Sequence, residues 1–130
     1  MAVASALVDT SVLVAIERRV LSPRVVDDHA AVSVISASEL LVGIHRADPS
    51  RRAARRARVS QVLSSATILD VDLRVAEVHA AVVTTLDSRG ERIGSHDLWI
   101  AATALANKLP VVARNAAEFR RVPGLEVVAV

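Results

Sequence analysis

At 130 residues the chain suits one compact domain, residues 1–130, long enough to bury a core without covalent staples. It has no cysteine and only 2% aromatics beside 52% hydrophobic residues, which excludes disulfides, thiolate metal sites and sheet modules that stack bases on exposed Phe or Tyr. The formal net charge is only +2; arginine supplies fifteen of the 16 basic residues and lifts the pI to about 10.3, so the clustering of charge carries more information than its balance.

No apolar run approaches the ~20 residues of a membrane span. The opening MAVASALVDTS lacks a basic leader and meets Asp9 too early for a signal peptide, so it is predicted as a first strand of a cytoplasmic protein. Ala4, Leu7 and Val8 form that strand, stopped by Asp9-Thr10-Ser11. Val12, Leu13 and Ile16 then have helical spacing. Ala31 to Ile35 is a second β-branched run, and Ser36 is predicted to open a helix carrying Leu40, Leu41 and Ile44. Pro49 starts another helix that runs to about Ser64. Thr67 to Val71 reads as a third strand. Asp72 caps a helix with Val75, Val78, Val82 and Leu86 on one face.

Gly90 and Gly94 bracket a loop. Ser95 is predicted to cap the helix of Leu98, Trp99, Ala102 and Leu105. Pro110 to Ala113 gives a fourth strand, Ala116 to Arg120 one helical turn, and Leu125 to Val130 a fifth strand. Strands apolar on both faces that alternate with helices imply an α/β fold: a parallel sheet of about five strands with helices on both faces. Ligands of such folds gather beyond the carboxyl ends of the strands.

That rule directs attention to five residues. Asp9 follows the first strand, Glu39 lies in the first turn of the second helix, and Asp97 starts the helix before the fourth strand. Asn115 and Glu118 follow the fourth strand. Carboxylates converging on one cleft repel unless neutralised. A hard divalent cation with oxygen ligands does this and also activates water near a phosphoryl group. Local readings compete. Ser36 and Glu39 have capping-box spacing, and Asp97 favours a helix dipole by position alone. Asp9 is harder to explain locally, because a carboxylate ending a buried strand is costly without a partner.

Four segments carry a resemblance: VDTS at 8–11, SASELLVGI at 36–44, IGSHDLWIAATA at 93–104 and ARNAAEFRRVPGL at 113–125. Together they resemble the VapC-type PIN-domain ribonuclease toxins of type II toxin–antitoxin pairs. VDTS alone is a weak signal; the DLWIAATA segment with the RNxxEF and VPGL tail is far more specific. The resemblance implies a PIN fold and an Mg²⁺-dependent endoribonuclease, with Mn²⁺ as a substitute. Asp9, Glu39 and Asp97 would be its principal acids, with Asp9 and Asp97 on the metal. Thr10 or Ser11 would support Asp9. The family commonly has Thr where Ala113 stands and often Asp where Asn115 stands, so the fourth position falls to Asn115 or Glu118. Glu39 would bind metal through water or position the attacking water. The resemblance also implies a homodimer, a VapB-type antitoxin partner and an RNA substrate.

Arg46, Arg51, Arg52, Arg55, Arg56 and Arg58 place six arginines within thirteen residues, with Arg52, Arg55 and Arg56 on one helical face. This face suits RNA phosphates, an acidic partner or plain solvent. Arg114 is expected at the rim of the cleft, extended by Arg120 and Arg121. His96 adjoins Asp97 and is read as a capping or surface residue, and Trp99 as a packing residue. A haloacid-dehalogenase-type phosphatase would need a second Asp at position 11, which is Ser. A receiver domain would need a lysine near the last strand, whereas Lys108 precedes the fourth. The alternative is a PIN-like module that binds RNA or antitoxin but cuts weakly, because Asn115 is uncharged.

Overall fold

The computed structural model describes residues 4–26 and 29–130. Five short strands, β1 (Ala6–Val8), β2 (Ala30–Ser33), β3 (Thr67–Leu69), β4 (Val111–Ala113) and β5 (Val127–Ala129), form one parallel sheet in the order β3-β2-β1-β4-β5. Five helices accompany them: α1 (Thr10–Glu17), α2 (Val34–Arg46), α3 (Pro49–Ser64), α4 (Leu73–Arg89) and α5 (Ser95–Ala106). Short 3-10 turns span Pro23–Val25 and Phe119–Arg121.

Alternate residues of the central strands feed two separate cores. Leu7, Ala31, Val111 and Ala113 pack with Val82 and Leu86 of α4 and Ile100, Ala101 and Ala104 of α5. Val8, Val32 and Val112 pack with Val12 and Leu13 of α1, Leu40 and Ile44 of α2 and Val59 of α3. This is the two-residue period of a strand with both faces covered, which is why these strands are apolar throughout. The edge strands are less covered: Ile68 and Val128 stand partly exposed.

Several boundaries differ from expectation: β1 starts at Ala6 rather than Ala4, β3 ends at Leu69 rather than Val71, β5 spans Val127–Ala129 rather than Leu125 to Val130, and the turn expected at Ala116 to Arg120 lies at Phe119–Arg121. β2 ends at Ser33, because its side-chain oxygen accepts from the Ile35 N–H at 3.1 Å and starts α2 there. The β-branched pair Val34-Ile35 therefore joins the helix, and Ser36 is an interior residue with no exposure rather than a cap. Gly94, not Ser95, is the residue before α5, and no side chain caps that end. Leu41 faces outward at 43% exposure, while Leu40 and Ile44 are buried. Pro49 and Asp72 occupy their expected helix-start positions, and Gly90 ends α4 at φ 63°, the left-handed region that suits glycine.

Trp99 packs within the chain: its ring stacks on His79 of α4 with centroids 3.6 Å apart and planes 12° from parallel. Desolvation lowers the His79 pKa, which keeps the stacked imidazole neutral at physiological pH. Among the described residues no helix is long and apolar enough to cross a membrane.

The arginine-rich helix is partly a structural element. Glu17, at the end of α1, is buried at 2% exposure. Its Oε1 lies 3.3 Å from Arg58 Nε and 3.5 Å from Arg55 Nε, the closer pair with hydrogen-bond geometry. Arg52 donates to the carbonyls of Ala47 at 3.1 Å and His45 at 3.4 Å, closing the α2–α3 turn. Half of the expected basic patch is thereby engaged inside the protein, and Arg46, Arg51 and Arg56 are the exposed remainder. Removing Glu17 leaves two arginines facing each other without their anion. Both guanidiniums are partly exposed and can swing into water, so the cost falls below that of a fully buried pair. Glu17→Ala is expected to lower stability by about 2 kcal/mol, read as a drop in urea midpoint with unchanged slope.

Candidate active site

The strand order reverses direction at β1: the chain proceeds to β2 and β3 on one side, then returns to β4 and β5 on the other. Such a switch point leaves a crevice at the carboxyl ends of the two central strands. Val8 and Val112 are register partners, and the Asp9 N–H donates to the Val112 carbonyl at 2.9 Å. Asp9 and the Arg114-Asn115 loop are therefore set side by side by the sheet ladder itself.

Asp9 caps α1. Its carboxylate accepts from the Ser11 N–H at 3.2 Å and from the Ser11 hydroxyl. At 6% exposure such a charge is tolerable only with these donors and the positive end of the helix. Ser11 Oγ in turn accepts from the Arg114 N–H at 3.4 Å, which ties the loop after β4 to the start of α1.

Thr10 supports a different acid from the one expected. Its Oγ1 lies 3.0 Å from Glu39 Oε1 and 2.8 Å from Ser36 Oγ. Glu39 sits in the second turn of α2, not the first, so the Ser36–Glu39 capping box does not form. His96 Nδ1 lies 3.4 Å from the same Glu39 oxygen, on a more exposed flank. Sequence reasoning undervalued both neighbours. Ser36 carries capping-box spacing, and His96 has only its adjacency to Asp97 as a signal.

Asp97 occupies the first turn of α5. Its pKa is raised from 3.8 to about 7, first by burial, then by a hydrogen bond with Glu118, then by the charges of Asp9, Glu118 and Glu39. Three acids on elements far apart in sequence thus act on Asp97. Of the two candidates after β4, Glu118 bonds to Asp97, whereas Asn115 is exposed on the rim. The crevice encloses about 550 Å³ and is lined by all four acids, Thr10, Ser11, Arg114 and Asn115, with Val14 and Phe119 as apolar wall.

Every candidate ligand here is an oxygen donor, and the acids crowd more negative charge than the local donors satisfy. That chemistry fits a hard divalent cation rather than a soft or imidazole-bound metal. Among the described residues no three acidic or imidazole groups are drawn tightly enough to hold an ion as they stand. Asp9 is turned to Ser11, Glu39 to Thr10, and Asp97 to Glu118. A larger cleft of about 820 Å³ lies between α1, α3 and β2. Among the described residues that line it, one is acidic, Glu17, and it is already paired with arginine.

The sequence and fold of this chain are similar to those of known proteins. The PIN domain family model matches residues 6–125. Ribonuclease VapC of Rickettsia bellii is 36% identical over 127 residues, covering 95% of both chains. Ribonuclease VapC4 of Mycobacterium tuberculosis is 33% identical over 131 residues and 100% of both chains. The crystal structure of VapBC-5 from Mycobacterium tuberculosis, a member of the VapBC family of toxin–antitoxin systems, superposes with a TM-score of 0.81 at 33% identity, covering 98% of this chain and 99% of that one. The chain belongs to the PIN-domain family and, within it, to the VapC ribonucleases.

The raised Asp97 pKa sets a sign for stability. The unfolded side chain ionises near 3.8, while the folded one keeps its proton until about 7, so the folded state binds more protons between these values. In chelator, the melting temperature should fall as pH rises through that window. Asp97→Asn should flatten the dependence, and Mg²⁺ should raise the melting temperature most above neutrality.

Proposed function

We propose that this chain is a divalent-cation-dependent endoribonuclease that acts in the cytoplasm as the toxin of a toxin–antitoxin pair. The observation that carries the reading is the convergence of Asp9, Glu39, Asp97 and Glu118 on one crevice, where the other three act on Asp97. Relatives named ribonucleases at 33–36% identity over nearly the whole chain support the substrate class.

Asp9 and Asp97, with Glu118 as the fourth acid, are the residues that hold Mg²⁺ or Mn²⁺. When bound, the ion supplies a more acidic water and neutralises charge on the scissile phosphate. Ser11 holds the Asp9 carboxylate in place through its N–H and hydroxyl. Asp97, whose pKa is raised to about 7, must release its proton to solvent before its carboxylate can bind the cation. Glu39, held at one oxygen by Thr10, receives the proton of the attacking water. Arg114, exposed at the rim, binds a phosphate of the RNA strand, and Asn115 offers an uncharged amide beside it.

The partner is a VapB-type antitoxin, supported by the likeness to VapBC-5. A homodimer is supported by the outward Val34, Leu41 and Val42 of α2, an apolar stretch that gains by being covered.

The test is a titration of Mg²⁺ or Mn²⁺ against cleavage of bacterial RNA, with mapping of the new ends. Asp9→Asn and Asp97→Asn should each lower the rate roughly 100-fold or more in folded protein. Arg114→Ala should weaken RNA binding roughly three- to tenfold and reduce the salt slope by about one, leaving the cation requirement unchanged. RNA binding without cleavage at any cation concentration would instead identify a non-cutting module.

A further inference from the structure

Ser36 is a hydroxyl side chain with no exposure inside a helix, and it does not cap that helix, because Ser33 does. A buried hydroxyl costs free energy unless it is bonded, so an alanine here would be the simpler packing residue. Its oxygen instead meets Thr10 Oγ1 at 2.8 Å, and Thr10 Oγ1 meets Glu39 Oε1 at 3.0 Å. A hydroxyl has one proton, and a carboxylate only accepts. Thr10 therefore donates to Glu39, and Ser36 donates to Thr10. The result is a directed chain of two hydroxyls ending on one carboxylate oxygen. Each link polarises the next in these partly buried surroundings.

The chain also joins α1 to α2. Thr10 follows the helix cap Asp9, so the same turn that fixes one acid fixes another. His96 approaches the same Glu39 oxygen from the exposed side at 3.4 Å. With Oε1 engaged from both flanks, the rotation of the carboxylate is restricted before any substrate arrives. Such an oxygen is poorly placed to become an inner ligand of a cation.

We propose that Ser36 is a positioning residue that acts through Thr10 to hold the Glu39 carboxylate for proton transfer rather than for cation binding. This rests on the ribonuclease reading given above. Glu39 acts on the reacting water; Ser36 touches neither water nor ion and works only by fixing its neighbour. The role needs only the Ser36 hydroxyl and the Thr10 relay.

The experiment is a double-mutant cycle of Ser36→Ala and Thr10→Val, read on a fluorogenic oligoribonucleotide carrying the mapped cleavage site. Ser36→Ala is expected to lower kcat about tenfold with KM within twofold of the parent. The double variant should be no slower than Thr10→Val alone, and Thr10→Ser should retain activity. Mn²⁺ affinity measured by calorimetry should stay within twofold in Ser36→Ala but be lost in Asp97→Asn. Additive losses in kcat, an unchanged kcat in Ser36→Ala, or Mn²⁺ affinity falling in step with kcat would each overturn the proposal. A readout without turnover separates this failure from failure of the ribonuclease reading. In the metal-free protein the Glu39 carboxyl carbon resonance should shift in Ser36→Ala, and an unmoved resonance overturns the relay whether or not RNA is cut.

Discussion

Four carboxylates held within one half-buried crevice dominate the electrostatics of this protein. Like charges at such range are tolerable only if protein donors, protons or a cation offset them. The metal-free chain uses the first two means. Ser11 and Thr10 each hold one acid, and the pKa of Asp97, raised to about 7, lets it keep a proton below neutrality. A divalent cation would offset the same repulsion. A rigid scaffold that holds like charges together is how perturbed acids and functional sites come to coincide.

The scaffold supplies those donors through its topology. A parallel strand followed by a helix places the N-terminus of the helix, with its free N–H groups, beside the carboxyl end of the sheet. Asp9 lies at one such terminus, while Asp97 lies in the first turn of α5, which follows α4 and leads into β4. The switch between β1 and β4 opens the gap between them, and the ladder bond from Asp9 to Val112 sets Asp9 beside the loop after β4. Two apolar cores, one on each face of the sheet, lock the helices that carry the acids.

Charge elsewhere does structural work. The arginines of α3 look like a nucleic-acid surface when read along one helix. In the folded chain Arg55 and Arg58 converge on Glu17, and Arg52 closes the turn after α2. Arg114, a single residue outside that cluster, lines the acidic crevice, which none of them does. Local density of positive charge was therefore a poorer guide to the site than position relative to the ends of the strands.

Much of the fold was legible in the residues. Apolar runs such as Leu7-Val8 and Val111-Val112 can only be strands covered on both faces, and Pro49, Asp72 and Gly90 mark helix ends by their own backbone chemistry. Asp9 announced itself because a carboxylate ending a buried strand needs a reason. The segments around Asp9, Glu39 and Asp97 also carried the family pattern that the comparisons bear out. Boundaries were less legible where two serines competed. Ser33 and Ser36 are equally good caps by composition, and the choice fell to whichever oxygen the end of β2 brought to a free N–H. Contacts between elements were not legible at all. Which acid Thr10 holds, whether Asn115 or Glu118 meets Asp97, and what becomes of Ser36 depend on separations of tens of residues closed by packing. Composition and period act through neighbours along the chain, while hydrogen bonds and charge act through space, and only the folded chain converts one kind of nearness into the other.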